Sequence, residues 1–153
     1  MLSIPHALTG AFVATSLPHP LVYAPIALGF HYLQDWTPHW DFGTGLSTGK
    51  RKRSTAILLE IGELVVTFGL IYVLFQKGNT SIQYHAWLGA LLGILPDLLE
   101  APRNFLRWEP PFLKPRNEFH GLFHHSTHHK LLGLLPQVIT ISVIVWLVTN
   151  RAP

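Results

Sequence analysis

Apolar residues recur in five segments of the chain, and turns rich in proline, glycine or charge separate them. The segments cover residues 4–17, 21–33, 56–75, 86–99 and 131–148. At about 1.5 Å of rise per residue, the third and the fifth can cross a hydrocarbon core of about 30 Å, whereas the other three are short. The pattern therefore predicts an all-α membrane bundle of about five short helices. Its first two helices form either a hairpin of short spans or a re-entrant pair.

The composition supports a membrane environment. Of 153 residues, 48% are hydrophobic and 12% are charged, against about 25% charged residues in ordinary soluble domains. We therefore predict a single membrane-embedded domain over residues 1–153. Because the chain has no cysteine, a transition-metal site must use histidine, aspartate and glutamate.

The basic residues are concentrated in two loops, although the net charge is only +3. Nine of the eleven lysines and arginines lie at 50–53 and 103–130. The positive-inside rule therefore places both loops on the cytoplasmic side of the cell membrane. No aromatic or polar readout residues interrupt the run at 50–53, which argues against a nucleic-acid partner. Membrane lipid is the expected partner, and the oligomeric state is left open.

In this topology, the polar residues at the ends of the segments converge on the cytoplasmic face. Asp97 ends the fourth segment, where an unpaired carboxylate is costly, so it requires a metal ion or a histidine as its partner. The other converging residues lie at the start of the first segment, at the end of the second and fourth, and ahead of the fifth: His6, His31, Asp35, His39, Asp41, Glu100 and the histidines of 120–129.

The stretch HGLFHHSTHH at 120–129 holds five histidines. His120, His124 and His128 are spaced i, i+4, i+8, and His125 and His129 form a second i, i+4 pair, so on a helix each set shares a face. Such pairs can bind one metal ion. The alternative is a surface that faces anionic lipid headgroups at the membrane boundary.

Two other pairs of residues are candidates for the site. His31 and Asp35 are also spaced i, i+4, and with His39 they form a ligand set that suits Zn, Mn or Fe. Alternatively, Asp35 only caps the chain reversal. Glu60 and Glu63 are expected to face the bundle interior and to pair with Lys52, Arg53 or a buried histidine.

Three motifs resemble those of the YdjM-like family of membrane-bound metal-dependent hydrolases. They are His6, Leu95-Pro96-Asp97 and His120-Gly-Leu-Phe-His-His125-Ser126. The family signature is a histidine, a later Pro-Asp-x-Asp-His and a later His-Arg-x-x-Thr-His-Ser. This chain lacks the second aspartate and the histidine of the middle motif and has Gly121 in place of the arginine. Asp35 and His39 offer the same ligand types from the other half of the chain.

The resemblance implies a hydrolase that acts on a lipid-like ester or phosphoester. His6, Asp35, Asp97, His120 and His125 would hold one or two divalent metals, with zinc expected and manganese or iron as alternatives. The metal would lower the pKa of a bound water toward ~7 and polarise an ester or phosphoryl oxygen. A spare histidine, His124 or His128, would act as the general base.

Two other classes of protein use the same residues. A divalent-metal-binding or transport protein would need polar groups that continue across the bilayer. A non-catalytic membrane scaffold would use the histidines to bind lipid headgroups.

Overall fold

The computed structural model describes residues 1–151, and within them the protein is helical without a β-sheet. The helices are α1 Ser3–Ser16, α2 Pro20–Trp36, α3 Arg53–Ile71, α4 Tyr84–Ala101, α5 Lys114–Gly121 and α6 Lys130–Thr149. A π-helical turn, Tyr72–Gln76, extends α3, and another, Pro102–Leu106, follows α4. The five predicted apolar segments match α1 to α4 and α6 to within three residues at either end, when α3 is taken together with the π-helical turn that extends it to Gln76. The all-helical prediction is therefore confirmed.

The structure adds one helix that the apolar pattern did not predict. α5 has eight residues, and its buried side chains are Asn117 and His120. Since its inward face is polar, no stripe of apolar residues marks it. α5 ends at Gly121, so the helical register expected through residues 120–129 does not continue beyond that glycine. That expectation was wrong.

α1 lies at the centre of the bundle and packs against α2, α3, α4 and α6. Ala7, Leu8 and Ala11 are fully buried there, in one core cluster with Ile71 and Ile94. The first turn of α1 is held by two acids of α3. Ser3 Oγ donates to Glu60 Oε1 at 2.9 Å, and the backbone N–H of Ile4 donates to Glu63 Oε1 at 2.9 Å. Acidic oxygens satisfy the free N–H groups at a helix start.

These contacts change the role expected for the two acids. Glu60 and Glu63 do face the interior, but they bond to the start of α1 rather than to Lys52, Arg53 or a histidine. Through this contact, α3 fixes the position of the helix that carries His6.

Three glycines let α1 and α4 approach closely. A Cβ atom on Gly93 would overlap the carbonyl oxygen of His6, and one on Gly89 would overlap the carbonyl oxygen of Gly10. Gly89 and Gly93 form a Gly-x-x-x-Gly motif, the arrangement that brings helix backbones into contact in membranes. The contact also fixes the height of His6 beside α4.

We expect Gly93→Ala to destabilise the protein, because the added methyl group meets backbone atoms of α1 that cannot rotate away. Overpacking of this kind costs about 1–3 kcal/mol. Gly29→Ala is the matched control, since a Cβ there has no neighbour within 4 Å and alanine favours the helix by up to about 1 kcal/mol. Thermal unfolding in detergent should show a lower midpoint for the first variant only. Equal midpoints would contradict the close contact.

Candidate metal centre

Eight buried or partly buried side chains meet where α1 begins and where α2, α4 and α5 end. We call this candidate site the metal centre, because groups of these side chains lie close enough to hold a metal ion. They are His6, His31, Asp35, His39, Asp41, Asp97, His120 and His124.

Three imidazoles surround one fully buried carboxylate. Asp35 Oδ1 lies 3.1 Å from His6 Nε2, and Asp35 Oδ2 lies 3.3 Å from His31 Nε2 and 2.9 Å from His120 Nε2. The amino nitrogen of Met1 also forms an ion pair with Asp35. Three imidazoles from α1, α2 and α5 and the amino group of Met1 therefore converge on this one carboxylate.

Asp97 faces the same three imidazoles from α4. Its oxygens lie 3.8 Å from His6 Nε2, 3.7 Å from His31 Nε2 and 3.6 Å from His120 Nε2. A quarter of its side chain is exposed, whereas the three histidines and Asp35 are buried. Asp97 is therefore the carboxylate through which this part of the centre is accessible.

The three rings are oriented by acceptors behind them. His6 Nδ1 bonds to Gln34 Oε1 at 2.8 Å and His31 Nδ1 bonds to the carbonyl oxygen of Gly93 at 2.7 Å. Because these oxygens only accept hydrogen bonds, each Nδ1 carries the proton and each Nε2 presents its lone pair to the centre.

His120 has a charged group beside its Nδ1 atom instead. Glu100 Oε2 lies 3.0 Å from this Nδ1 without hydrogen-bond geometry, and Glu100 is paired with Arg103. A carboxylate behind an imidazole fixes its tautomer and increases its basicity toward a metal ion. Metal-binding histidines in proteins are usually supported in this way.

Protons alone satisfy these contacts poorly. His31 Nε2 and His120 Nε2 lie 3.1 Å apart, and they also lie 3.3 and 2.9 Å from Asp35 Oδ2, so a single proton cannot serve every contact. Filling every such contact with protons would place several imidazolium charges in a buried site, which is costly. One divalent cation can satisfy the same nitrogen and carboxylate atoms together.

A second part of the centre is built by the loop after α2. His39 Nε2 lies 3.2 Å from His124 Nε2 and 3.3 Å from Asp41 Oδ2. The loop is held by the segment after α5, because the His39 N–H donates to the carbonyl of His125 at 3.1 Å and the Thr127 N–H donates to the carbonyl of His39 at 2.7 Å. These backbone bonds bring His124 to His39.

The structure brings together most of the predicted metal ligands. Six of the seven lie in the centre: His6, His31, Asp35, His39, Asp97 and His120. His125 is not among them. Its side chain is exposed, and its Nδ1 bonds to the carbonyl of Trp36 at 3.0 Å. Since the chain leaves the helix at Gly121, His125 contributes its backbone rather than its ring.

Of the two candidate general bases, His124 and His128, only one lies in the centre. His128 is exposed and lies outside the centre. His124 lies inside it, and burial lowers the pKa of its imidazole to about 4, so the ring is neutral at pH 7. A neutral ring at this position can accept a proton or bind a cation.

Asp41, Glu100 and Gln34 were not among the predicted site residues. The sequence pattern could have identified Asp41 and Glu100, because each is an acid at a segment end that was expected to face the cytoplasm. No sequence pattern identifies Gln34, since its role depends on the contact between its side chain and His6.

A cleft leads from α3 and α4 to the centre. Its volume is about 240 Å³. Its apolar wall consists of Ile57, Ile61, Leu64, Leu98 and Phe105, and its polar lining includes Glu60, Asp41, Asp97 and His124. A cleft lined by apolar side chains together with carboxylates and an imidazole matches a molecule with a hydrocarbon part and a polar group.

Comparisons of the chain with family models, with curated proteins and with solved structures find no match. The family resemblance based on short motifs therefore stays a prediction.

Proposed function

We propose that this protein is an integral membrane hydrolase that depends on a divalent metal and cleaves a lipid-like ester or phosphoester. The observation that carries the proposal is the set of three buried imidazoles whose Nε2 atoms surround two carboxylates, one of which lines a cleft with an apolar wall.

Two helices support the membrane placement. The helices Arg53–Gln76 and Lys130–Thr149 each contain an 18-residue window, with mean hydropathies of 2.1 and 2.3, and only 17% of each window is buried in the protein. Core helices of soluble proteins are mostly buried, whereas these expose large side chains such as Val65 at 69% and Leu131 at 86%. Apolar surfaces of that extent are unfavourable in water and favourable in lipid.

The donor atoms fit a metal of borderline hardness. His6, His31 and His120 would supply nitrogen, and Asp35 and Asp97 would supply oxygen, which suits zinc, with manganese or iron as alternatives. A bound divalent cation supplies Lewis acidity and makes water a stronger acid. The expected pH response follows from the ligands: bound imidazoles are neutral, so acid competes with the metal.

The residues of the chain supply positioning. The apolar wall of the cleft would hold the hydrocarbon part of the substrate, which leaves the scissile group beside Asp97 and His124. Holding the scissile group beside these residues would increase the rate of hydrolysis, because the reacting groups are already positioned for reaction. An amphiphile dissolved in the bilayer can reach a cleft bordered by α3 and α4 without passing through water.

Metal analysis tests the proposal. Detergent-purified wild-type protein should retain zinc after dialysis, and His120→Ala should retain at least about tenfold less, because the variant loses a buried imidazole that contacts both Asp35 and Asp97. His128→Ala is the matched control, since it removes an exposed histidine of the same stretch. Zinc content that is absent from the wild type, or equal in all three proteins, would favour a non-catalytic scaffold.

Cysteine labelling tests the orientation. Ser47 and Glu118 are exposed residues near the two basic loops, and both are expected on the cytoplasmic side. Single cysteines at these positions should react with an impermeant reagent in inside-out vesicles and be protected in intact cells. Reaction of the two cysteines from opposite sides would contradict the shared face.

A further inference from the structure

The second part of the metal centre has the composition of a cation site of its own. Ligand atoms of Asp35, His39 and His124 all lie within 4.8 Å of one another. His39 Nε2 lies 3.2 Å from His124 Nε2 and 3.8 Å from Asp35 Oδ1. These atoms are separate from the His6, His31 and His120 nitrogens, but the two parts share Asp35.

Asp41 supplies an independent observation. Its Oδ1 accepts hydrogen bonds from the Thr44 N–H at 2.6 Å and from Thr44 Oγ1 at 3.0 Å, which fixes the carboxylate. Its Oδ2 is buried without a hydrogen-bond partner and points at His39 Nε2 and His124 Nε2, 3.3 and 3.4 Å away. A buried carboxylate oxygen in this state is unfavourable unless a cation is bound beside it.

The tautomer of His39 disfavours the simplest alternative, a hydrogen bond from the neutral ring. His39 Nδ1 donates to the carbonyl oxygen of Thr37 at 2.9 Å, so in the neutral ring Nε2 presents a lone pair to Asp41 Oδ2. A proton on His124 Nε2 could serve His39 Nε2 or Asp41 Oδ2 but not both.

We propose that His39, Asp41 and His124 bind a second divalent cation and that Asp35 bridges it to the first. Asp35 lies between the two parts, because Oδ2 contacts His31 and His120 whereas Oδ1 lies 3.1 Å from His6 and 3.8 Å from His39. Oδ1 also pairs with the amino group of Met1, which a bridging cation would displace. The inference rests on the proposed function and deepens it. Paired divalent ions about 3.5–4 Å apart stabilise both the attacking and the leaving oxygen of a displacement at phosphorus, so a phosphoester of an amphiphile is the substrate class that this centre favours.

In this arrangement His124 is a ligand rather than the general base. Its Nε2 atom lies 3.2 Å from His39 Nε2 and 3.4 Å from Asp41 Oδ2, so the three atoms face the same space. The second cation would lie on the side of the centre that borders the cleft, since Asp41 and His124 line it.

Metal stoichiometry and manganese EPR on the full-length protein in detergent test the inference. Stripped protein loaded with Mn²⁺ should bind two ions per chain, and the two spins should couple, which broadens the hyperfine pattern of an isolated ion. His39→Ala and Asp41→Asn should each bind one ion and show the isolated-ion spectrum. Asp41→Asn preserves the shape of the side chain, and an unchanged melting temperature shows that it folds. His128→Ala should behave as the wild type.

The outcomes separate the two proposals. A single uncoupled ion in the wild type, unchanged in His39→Ala, would overturn the second cation and leave the hydrolase proposal standing. Two bound ions in both His39→Ala and Asp41→Asn would place the second ion elsewhere and would also overturn the inference. Loss of the second ion in His128→Ala would overturn it as well. No bound ion in any of the proteins would overturn both proposals.

Discussion

Asp35→Asn is expected to abolish high-affinity metal binding. The carboxylate is fully buried and contacts the Nε2 atoms of three histidines at 2.9 to 3.3 Å. The amide keeps the volume but loses the charge, and its NH₂ group cannot bind a metal ion. Changing a supporting residue behind a ligand typically reduces metal affinity by about 10- to 100-fold, so we expect the loss of this central carboxylate to exceed about 100-fold.

Equilibrium titration with zinc against a competing chelator measures this effect. Glu118→Gln is the matched control, because it makes the same chemical change at a carboxylate that is 65% exposed and outside the centre. Circular dichroism and the melting temperature show whether Asp35→Asn is folded. A folded variant with wild-type zinc affinity would mean that Asp35 only caps the chain reversal after α2.

Asp97→Asn is expected to remove hydrolysis while the fold is retained. Asp97 belongs to both the metal centre and the cleft, and a quarter of its side chain is exposed there. The loss of one group that stabilises charge in a transition state typically costs about 10²–10³ in rate, which corresponds to about 2.7–4.1 kcal/mol. Turnover of a chromogenic phosphodiester with a hydrocarbon tail should therefore fall by at least 100-fold.

The three hypotheses about the class of this protein predict different results for Asp97→Asn. A hydrolase loses turnover. A scaffold has no wild-type turnover to lose. A transporter loses metal flux in proteoliposomes without any hydrolysis in the wild type. Glu118→Gln again serves as the control, and a substrate without the tail shows whether the apolar wall of the cleft contributes to binding.

The metal experiments also test the lipid-headgroup alternative for the histidine stretch. His125, His128 and His129 are exposed, whereas His120 and His124 face the centre. Metal bound through neutral imidazoles is lost on acidification, whereas attraction to anionic lipid grows as imidazoles become charged. Zinc content that falls with pH, and that is independent of His128, would assign the two inward histidines to the metal.

The sequence by itself determined the helical elements. Runs of apolar residues are a local property, so their ends lie within three residues of the bounds of α1, α2, α4, α6 and of α3 with its π-helical extension. The sequence also predicted that polar residues at the ends of these segments meet, because a short apolar segment leaves its terminal polar groups at a membrane face. His6, Asp35, Asp97 and His120 lie within hydrogen-bond or ion-pair distance in the structure.

Only the tertiary structure decided which histidines of 120–129 face inward. Periodicity placed His120, His124 and His128 on one helical face, but α5 ends at Gly121. Beyond it, ring directions depend on backbone bonds to a distant loop, such as the bond from the His39 N–H to the carbonyl of His125. His124 therefore turns inward, whereas His125 and His128 turn outward.

Only the tertiary structure decided which side chains each proposed ligand contacts. The sequence contains the acids and histidines but not the distances among them, and the pairing of His31 with His120 depends on how closely α1, α2, α4 and α5 pack. The glycine contact between α1 and α4 fixes the height of His6, and Thr44 fixes the direction of Asp41. These are contacts between residues far apart in the chain or in an irregular loop, where neither helical nor strand periodicity specifies the direction of a side chain.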